Sequence, residues 1–329
     1  MIETFGRHDG QDVLRASLSD GDVSVSILNY GAITQDWRVP LKGASVPVVL
    51  GFEKFEDYLA QSRYFGVIAG RVANRTAKGQ FQLDGRVYQL PINQAPNHLH
   101  GGDIGLGRRI WSMEEAGSAA VRLSYHSPDG EEGYPGAVDF TVEISLDGAA
   151  LTYRMTGVPD RPTPINLAQH SYYSLGDACV LDQTLWLAAH QYTPVDADLI
   201  PTGEIVSVAG THFDFRKPAK IGTMDPSHIG IDLNLVLDKT HDRQSPVASV
   251  NSQNGLGLKL WTEEPGLQVF NAATMEIEVP SLDGQSYGPF AGLCLEAQKF
   301  PDALNQSHFP SIISTPDQPY EQILKVEIG

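Results

Sequence analysis

The sequence is short of cysteine, of positive charge and of long apolar runs, and each shortage excludes a class of protein. Its 329 residues include two cysteines, Cys179 and Cys294, too few for a cysteine-based zinc site and most consistent with two reduced, buried thiols. Lysine and arginine total 23 against 40 aspartates and glutamates, and this net charge of −17 disfavours nucleic acid and anionic membranes as partners. No run approaches the roughly 18 apolar residues of a membrane-spanning helix.

Residues 1–9 also lack the apolar core of a signal peptide, so a cytoplasmic protein is predicted. Long stretches free of glycine and proline are missing too, since the longest, 177–193, has 17 residues, and this limits helix length. One short helix is predicted over 52–64. Period-two alternation of apolar and polar residues predicts strands at 22–28, 121–125, 137–144 and 256–261.

Two Asp-Gly pairs, Asp84–Gly85 and Asp147–Gly148, predict type I′ hairpin turns, the first inside a hairpin over 81–90. Linkers and internal repeats are not visible in the sequence. These patterns predict a large antiparallel all-β protein, either a sandwich or a barrel. Length alone suggests about two domains, although all-β domains often exceed that length.

Two short segments combine basic side chains with glycine. Gly70–Arg75 carries two arginines and Asn74, which by themselves are more typical of a charged surface than of a site. In Asn97–Gly102, His98 and His100 would point to the same face of an extended segment, followed by two glycines that permit a close approach. Such a pair fits a metal site, a polar binding site or a solvated loop.

Two further segments place an ionisable side chain among apolar ones. Glu296 lies within the apolar stretch 293–298, where burial is costly and would raise its pKa toward values useful for proton transfer. His170, within 164–173, fits either a hydrogen-bonded core histidine or a general acid. A carboxylate base and an imidazole acid suit a reaction that takes a proton from one oxygen and protonates another. Nucleophile elbows, phosphate loops and dinucleotide fingerprints do not occur in the sequence.

Taken together, six motifs resemble those of the aldose 1-epimerase (galactose mutarotase) family, in the family's order and over most of the chain. They are Gly-Arg-Val-Ala-Asn-Arg at 70–75, Leu-His-Gly-Gly at 99–102, Ser-Pro-Asp-Gly-Glu-Glu-Gly-Tyr-Pro-Gly at 127–136, Pro-Ile-Asn-Leu-Ala-Gln-His-Ser-Tyr-Tyr at 164–173, Pro-Gly-Leu-Gln-Val-Phe at 265–270 and Leu-Glu-Ala-Gln-Lys-Phe-Pro-Asp-Ala-Leu-Asn-Gln at 295–306.

The resemblance implies one domain over residues 1–329, an antiparallel β-sandwich of the galactose mutarotase type with a broad open cleft and neither metal nor organic cofactor. It implies that Glu296 takes the proton of the anomeric hydroxyl while His170 protonates the ring oxygen, so that the sugar ring opens and recloses as the other anomer. The partner is then a free monosaccharide, and the protein a monomer or homodimer. The residues implied to bind the sugar are Asn74, Arg75, His100, Asp232 and Gln268.

Some positions depart from the family's usual pattern and leave the preferred aldose, hexose or pentose, open. Gln169 stands where the family has Asn, Ser174 where it has Asn, and Leu233 where a histidine is common. Three other functions fit parts of the sequence. A sugar-phosphate epimerase would use Arg71, Arg75, Arg108 and Arg109, against the acidic net charge. A sugar-binding module would lack catalysis, and a metal-dependent isomerase would use His98, His100, His170 and Glu296.

Overall fold

Antiparallel strands make up most of the chain in the computed structural model, which describes residues 1–61, 64–238, 240–242 and 244–329. The N-terminal sheet has five strands in sequence order: Ile2–His8, Gln11–Asp20, Val23–Leu28, Thr34–Leu41 and Ala44–Pro47. The nine-stranded sheet has the spatial order Ser112–Gly117, Ala120–Ser127, Val138–Asp147, Ala150–Pro159, Tyr320–Ile328, Gly257–Thr262, Ala248–Asn251, Thr184–Leu187 and Ala219–Lys220. The six-stranded sheet has the order Tyr172–Tyr173, Leu293–Gln298, Gly266–Phe270, Asp232–Leu237, Ala189–Tyr192 and Val206–Ser207.

Short elements connect these sheets. Paired strands are Arg75–Thr76 with His98–Leu99, Ile68–Ala69 with Ala168–Gln169, Gln80–Leu83 with Arg86–Gln89, and Thr163–Pro164 with Ile313–Ser314. The α-helices are Phe55–Ala60 and Ile221–Met224, and 3₁₀ turns occur at Ala77–Gly79, Leu106–Arg108, Glu131–Gly133 and Leu282–Gly284. Within the described ranges, no helix is long and apolar enough to span a membrane.

One apolar core joins the three large sheets. Strand Val138–Asp147 alternates buried and more exposed residues along almost its whole length, as a strand with one covered face should. Its Phe140 shares a cluster with Trp37 of the N-terminal sheet and Leu267 of the six-stranded sheet. Burial of each such side chain stabilises the fold by about 1.5–3 kcal/mol. The predicted large antiparallel β-sandwich is confirmed.

The local predictions are mostly confirmed as well. All four predicted strands are present to within a few residues, and Asp84 and Gly85 have φ of 50° and 76°, as a type I′ turn requires. The second turn differs because the register pairs Asp147 with Ala150, which leaves Gly148 and Ala149 as the loop. Gly148 alone has a positive φ there, 56°, which is the type II′ pattern.

The predicted helix over 52–64 is too long. The helix covers Phe55–Ala60, because the N–H of Phe52 donates to the Tyr58 hydroxyl and Lys54 is extended. Buried Phe55 and Tyr58 anchor one face of this short helix, which depends on packing rather than on its own propensity. Ser62 and Arg63 lie outside the described residues.

Candidate functional site

A cavity of about 710 Å³ opens beside one end of the six-stranded sheet. This volume is within the usual range for small-molecule sites. Its walls come from distant parts of the chain, so the fold has to be complete before the site exists. The polar and aromatic residues that line it include Tyr64, Asn74, Arg75, Gln94, His100, His170, Tyr172, Asp232, Phe270 and Glu296. The broad cleft that the resemblance implies is therefore present.

Glu296 occupies a strand, Leu293–Gln298, whose six residues are all buried. It lies opposite Gln268 in the register of the six-stranded sheet. Burial raises the pKa of the Glu296 carboxyl well above its ordinary value, the Asp232 charge raises it further, and Arg75 opposes both. Among the described residues, Glu296 Oε2 has no hydrogen-bond partner. The strand thus brings to the cavity wall a carboxyl group, Glu296, that readily binds a proton and has one oxygen without a partner in the described part of the chain.

His170 is fixed by its backbone and by the rings on both its faces. Its N–H donates to the Val67 carbonyl at 2.9 Å, and its own carbonyl accepts from the Gly66 N–H at 3.0 Å. The imidazole lies between Tyr64 and Tyr172, with ring centroids 5.6 and 5.2 Å away and interplanar angles of 22° and 27°.

The imidazole of His170 faces the Glu296 carboxyl, since Nε2 lies 3.6 Å from Glu296 Oε1. Both side chains are buried. Burial lowers the pKa of His170 to about 4, which makes its protonated form a strong acid. A carboxyl whose pKa is raised and an imidazole whose pKa is lowered therefore lie side by side at the cleft.

Arg75, Asp232 and Gln268 form a connected set beside this pair. Arg75 Nη1 lies 3.7 Å from Asp232 Oδ2, and its Nε donates to Gln94 Oε1 at 2.8 Å. Gln268 Nε2 donates to Asp232 Oδ1 at 2.5 Å. The Gln268 Oε1 atom is buried and has no partner among the described residues. Arg75 and Asp232 line the cavity and offer a donor and an acceptor that suit a polyhydroxylated ligand, whereas Gln268 is buried and is not among the described residues that line it.

Asn74 and His100 are held in strained backbone conformations. Their φ values are 61° and 48°, in the left-handed region that residues other than glycine seldom adopt. The Asn74 N–H donates to His100 Nδ1 at 3.1 Å, and the His100 N–H donates to the Asn74 carbonyl at 3.0 Å. Because Nδ1 accepts, the neutral His100 ring carries its proton on Nε2. Burial keeps it neutral by lowering its pKa well below the ordinary value, and the charges of His170 and Arg75 lower it further.

Steric crowding requires a glycine directly after His100. Gly101 has a φ of 88°, and a Cβ atom there would lie 1.7 Å from the Gly70 carbonyl oxygen. The first and second motifs therefore cross at a point where only glycine fits.

The expectation that His98 and His100 share a face is wrong. The positive φ of His100 turns the chain, and His98 points away from the cleft. Its Nδ1 lies 2.8 Å from the Pro91 carbonyl oxygen and its Nε2 lies 2.7 Å from the Tyr134 hydroxyl, so neither nitrogen is available to a metal. Among the described residues, His100, His170 and Glu296 have ligand atoms within 4.8 Å of one another and could hold an ion without it.

The arginine cluster of the sugar-phosphate alternative is not assembled. Arg71 is buried away from the cleft and donates to the Gly136 carbonyl at 2.8 Å and to Ser127 Oγ at 2.6 Å. Arg109 pairs with Glu131 at 3.0 Å. Arg75 and Arg108 line the cavity. Two of the four arginines, Arg71 and Arg109, thus bind other groups of the protein and would not bind a phosphate.

Tyr64 and Cys294 are not among the site residues predicted from the sequence, and Tyr172, which could stack on a sugar ring, is there more typical of a core aromatic. Tyr172 follows His170 by two residues and Cys294 precedes Glu296 by two, a spacing that puts strand side chains on one face and could have indicated both. No comparable signal marks Tyr64. Cys294 is a buried free thiol as predicted, whereas Cys179 is free but exposed.

The three departures from the family pattern do not touch the cleft. Gln169 donates to Ser171 Oγ at 2.6 Å, Leu233 packs in the core, and Ser174 is buried outside the cavity wall. None of the three is among the described residues that line the cavity.

Comparisons with known proteins agree with this geometry. The family model of aldose 1-epimerase matches residues 15–327. Galactose mutarotase from Rattus norvegicus is 38% identical over 94% of this chain and 92% of its own length, and aldose 1-epimerase from Escherichia coli is 32% identical over 92% and 90%.

Solved structures show the same similarity. The aldose epimerase homologue from C. elegans superposes with a TM-score of 0.90 at 25% identity, covering 96% of this chain and 99% of its own. Galactose 1-epimerase from Lactobacillus acidophilus has a TM-score of 0.86 at 28% identity, covering 100% and 98%. The chain therefore belongs to the aldose 1-epimerase family.

Proposed function

We propose that this isomerase interconverts the α and β anomers of a free aldose, with Glu296 as general base and His170 as general acid. The observation that carries the proposal is the contact between the two groups, 3.6 Å from Glu296 Oε1 to His170 Nε2, at the wall of a cavity of about 710 Å³. Family membership and the names of the rat and Escherichia coli relatives support it.

The proton inventory of the reaction matches the pair. Glu296 takes the proton of the anomeric hydroxyl as C1=O1 forms, the C1–O5 bond breaks, and O5 takes a proton from His170. The open aldehyde rotates about C1–C2, and reclosure on the other carbonyl face runs the same transfers in reverse. The pair carries one proton when it begins as carboxylate and imidazolium, and one when it ends as carboxyl and neutral imidazole.

Burial assists this exchange. It disfavours charge on both groups, since it raises the Glu296 pKa and lowers the His170 pKa. The neutral pair is the one that accompanies the open-chain aldehyde, so desolvation brings the ring-opened state closer in free energy to the closed sugar. The Arg75 charge favours the Glu296 carboxylate and lowers the Glu296 pKa, which partly offsets the effect of burial.

We also propose that Asn74, Arg75, His100, Asp232 and Gln268 hold the sugar. The Nε2–H of neutral His100 can donate to a sugar oxygen, and Asp232 can accept from hydroxyls, while Gln268 acts by donating to Asp232. Four of these residues line the cavity, from positions 74 to 232, and this spread supports a single domain over 1–329. The two free thiols fit a cytoplasmic location. A monomeric or homodimeric state remains a prediction.

The test is an exchange measurement between α and β anomers by NMR, with a panel of free hexoses and pentoses. We expect magnetisation or isotope exchange between anomers well above the uncatalysed rate for at least one sugar. Binding of the sugars without exchange would favour a non-catalytic module. Faster turnover of glucose 6-phosphate than of glucose would favour a sugar-phosphate epimerase.

Dialysis against a strong chelator tests the cofactor-free chemistry. Full activity after dialysis is the expected result. Loss of activity that one divalent metal restores would instead assign an ion to His100, His170 and Glu296.

A further inference from the structure

Cys294 lies against the side of His170 that faces away from Glu296. Its Sγ atom is 3.6 Å from His170 Nδ1, and the side chain is fully buried. Cys294 and Glu296 are two residues apart in one strand, so both side chains project from the same face of the sheet. One strand therefore supplies a neighbour for each nitrogen of the imidazole, the carboxyl at Nε2 and the thiol at Nδ1.

The proposed chemistry requires one particular tautomer of His170. The proton that reaches the sugar ring oxygen leaves from Nε2, the nitrogen that faces Glu296. After that transfer the neutral ring must carry its remaining proton on Nδ1. A ring with its proton on Nε2 and a bare Nδ1 could not take a proton back from the sugar at Nε2. An acceptor at Nδ1 favours the correct tautomer.

We propose that Cys294 is a positioning residue whose sulfur accepts a hydrogen bond from Nδ1–H of His170 and thereby holds the tautomer that leaves Nε2 free to exchange protons. This inference rests on the proposed function and assigns a residue that the acid–base pair alone does not include. Cys294 acts through His170.

A thiol suits this position better than a carboxylate. Burial raises the pKa of the Cys294 thiol well above its ordinary value, and the nearby charges of Glu296 and Asp232 raise it further, so sulfur stays neutral. A neutral sulfur is a weak acceptor that orients the ring without strongly stabilising the imidazolium. A carboxylate at this position would stabilise the imidazolium and weaken His170 as an acid.

The remaining neighbours of His170 do not replace the thiol. Tyr64 and Tyr172 cover the ring faces, and His100 meets the ring edge-on at 5.1 Å between centroids. The backbone carbonyl of His170 also favours the protonated ring, although it opposes burial only in part. The titratable groups around the imidazole are Tyr64, His100, Tyr172, Cys294 and Glu296, with the Asp232 and Arg75 charges acting on Glu296.

The experiment reads the tautomer directly in the sugar-free protein. Histidine is labelled with ¹⁵N, and long-range ¹H–¹⁵N spectra report which imidazole nitrogen carries the proton. The signal of His170 is identified by its absence in His170→Asn. In the wild type and in Cys294→Ser, whose hydroxyl can also accept, we expect the Nδ1–H form. In Cys294→Ala we expect the Nε2–H form to gain population.

Kinetics provide the second measurement. Cys294→Ala should lower kcat by about three- to tenfold with little change in KM, the effect of losing one neutral hydrogen bond. Cys294→Ser should recover most of this loss. Cys179→Ser, at the exposed thiol, is the matched control and should match the wild type in both measurements. If Cys294→Ala does not fold, Cys294→Val removes the acceptor while filling the space.

An unchanged tautomer in Cys294→Ala or Cys294→Val would overturn the proposal, whatever the activity. A shifted tautomer with unchanged kcat would also overturn it, because the tautomer would then not matter to turnover. Because the spectra need no substrate, the Cys294–His170 contact can fail this test while anomer exchange is intact. Conversely, the protein can fail to exchange anomers while the spectra verify the Cys294–His170 contact. The role of Cys294 and the proposed function can therefore be refuted independently.

Discussion

The two sides of the cleft are built in different ways. On the acid–base side, Glu296 is in the middle of a buried six-residue strand, and His170 directly follows the strand Ala168–Gln169 and is held by backbone hydrogen bonds to Gly66 and Val67. The loop side, Asn74, Arg75 and His100, is attached to two-residue strands and to two residues with positive φ. Strand alternation fixes Glu296 on the first side, and a crossing of two tight backbone segments fixes the second side.

This difference separates chemistry from recognition. Glu296 shares the rigidity of its central strand, and two backbone hydrogen bonds hold His170, which keeps the acid and base at a fixed separation. Residues on strained segments depend on contacts with neighbouring backbone, so their positions are more easily lost. Damage to the acid–base side should therefore lower kcat, and damage to the loop side should raise KM and lower stability.

Glu296→Gln should have the largest effect, a loss of about 10²–10⁴-fold in kcat, because it removes the base and leaves the shape of the side chain intact. Anomer exchange by NMR measures it. Glu264→Gln is the matched control, since burial also raises the pKa of Glu264 but its carboxyl lines a different cavity. Full activity in Glu296→Gln would show that another group is the base.

Gly101→Ala should disrupt the loop side. Its Cβ would lie 1.7 Å from the Gly70 carbonyl oxygen, so the backbone that carries His100 has to move. We expect a loss of more than about 2 kcal/mol in the free energy of unfolding and a raised KM. Urea denaturation and exchange kinetics measure the two effects.

Gly85→Ala is the control for backbone strain alone, because Gly85 also has a positive φ, 76°, but no atom lies within 4 Å of the added Cβ. It should cost about 1–2 kcal/mol and leave KM unchanged. Equal stability losses in the two variants would mean that the crossing with Gly70 tolerates a methyl group.

The pH dependence of kcat/KM should reflect the buried pair rather than an ordinary histidine. The pKa of His170 is lowered to about 4, so the pair holds a single proton across the range where free histidine titrates. As the pH falls through about 4, a second proton is taken up and the base is lost, so activity should fall there. An acid limb near the ordinary histidine pKa would contradict the assignment of His170. Activity should also fall at high pH, as the pair loses its single proton above the raised pKa of Glu296.

Asp232→Asn should give the smallest effect on the chemistry. The Asp232 charge adds to the burial that raises the Glu296 pKa, so its removal should move the alkaline limb of the profile to lower pH. Gln268→Leu is the comparison, because it removes the hydrogen bond to Asp232 and keeps the charge. The alkaline limb should stay in place in Gln268→Leu. A shift of the same size in both variants would assign it to geometry rather than charge.

The acid–base side was the more predictable from sequence. A glutamate inside an apolar run already indicates a buried charge, and the period of two fixes the face on which it lies. The strands of the sandwich were predictable for the same reason. The thiol of Cys294 follows from the same period once His170 is known to be adjacent, but that adjacency joins residues 124 positions apart.

The loop side was less predictable because local pattern does not report long-range backbone contacts. The spacing of His98 and His100 suggested one face, and the positive φ of His100 put them on different sides. Arg71 and Arg75 belong to one motif, yet Arg71 donates hydrogen bonds to backbone carbonyls near Gly136 while Arg75 lines the cleft. The helix begins later than predicted because Lys54 is extended and the Phe52 N–H donates to the Tyr58 hydroxyl.

The near-complete burial of His170 and Glu296 has a consequence for where hydrogen atoms travel. A hydron taken from the sugar during opening waits on a group shielded from bulk water and can return to the same sugar during closure. Under the proposed mechanism Glu296 and His170 therefore store and return the proton themselves, and turnover does not depend on proton donors in solution. The substrate can leave with hydrogens it exchanged only with the protein.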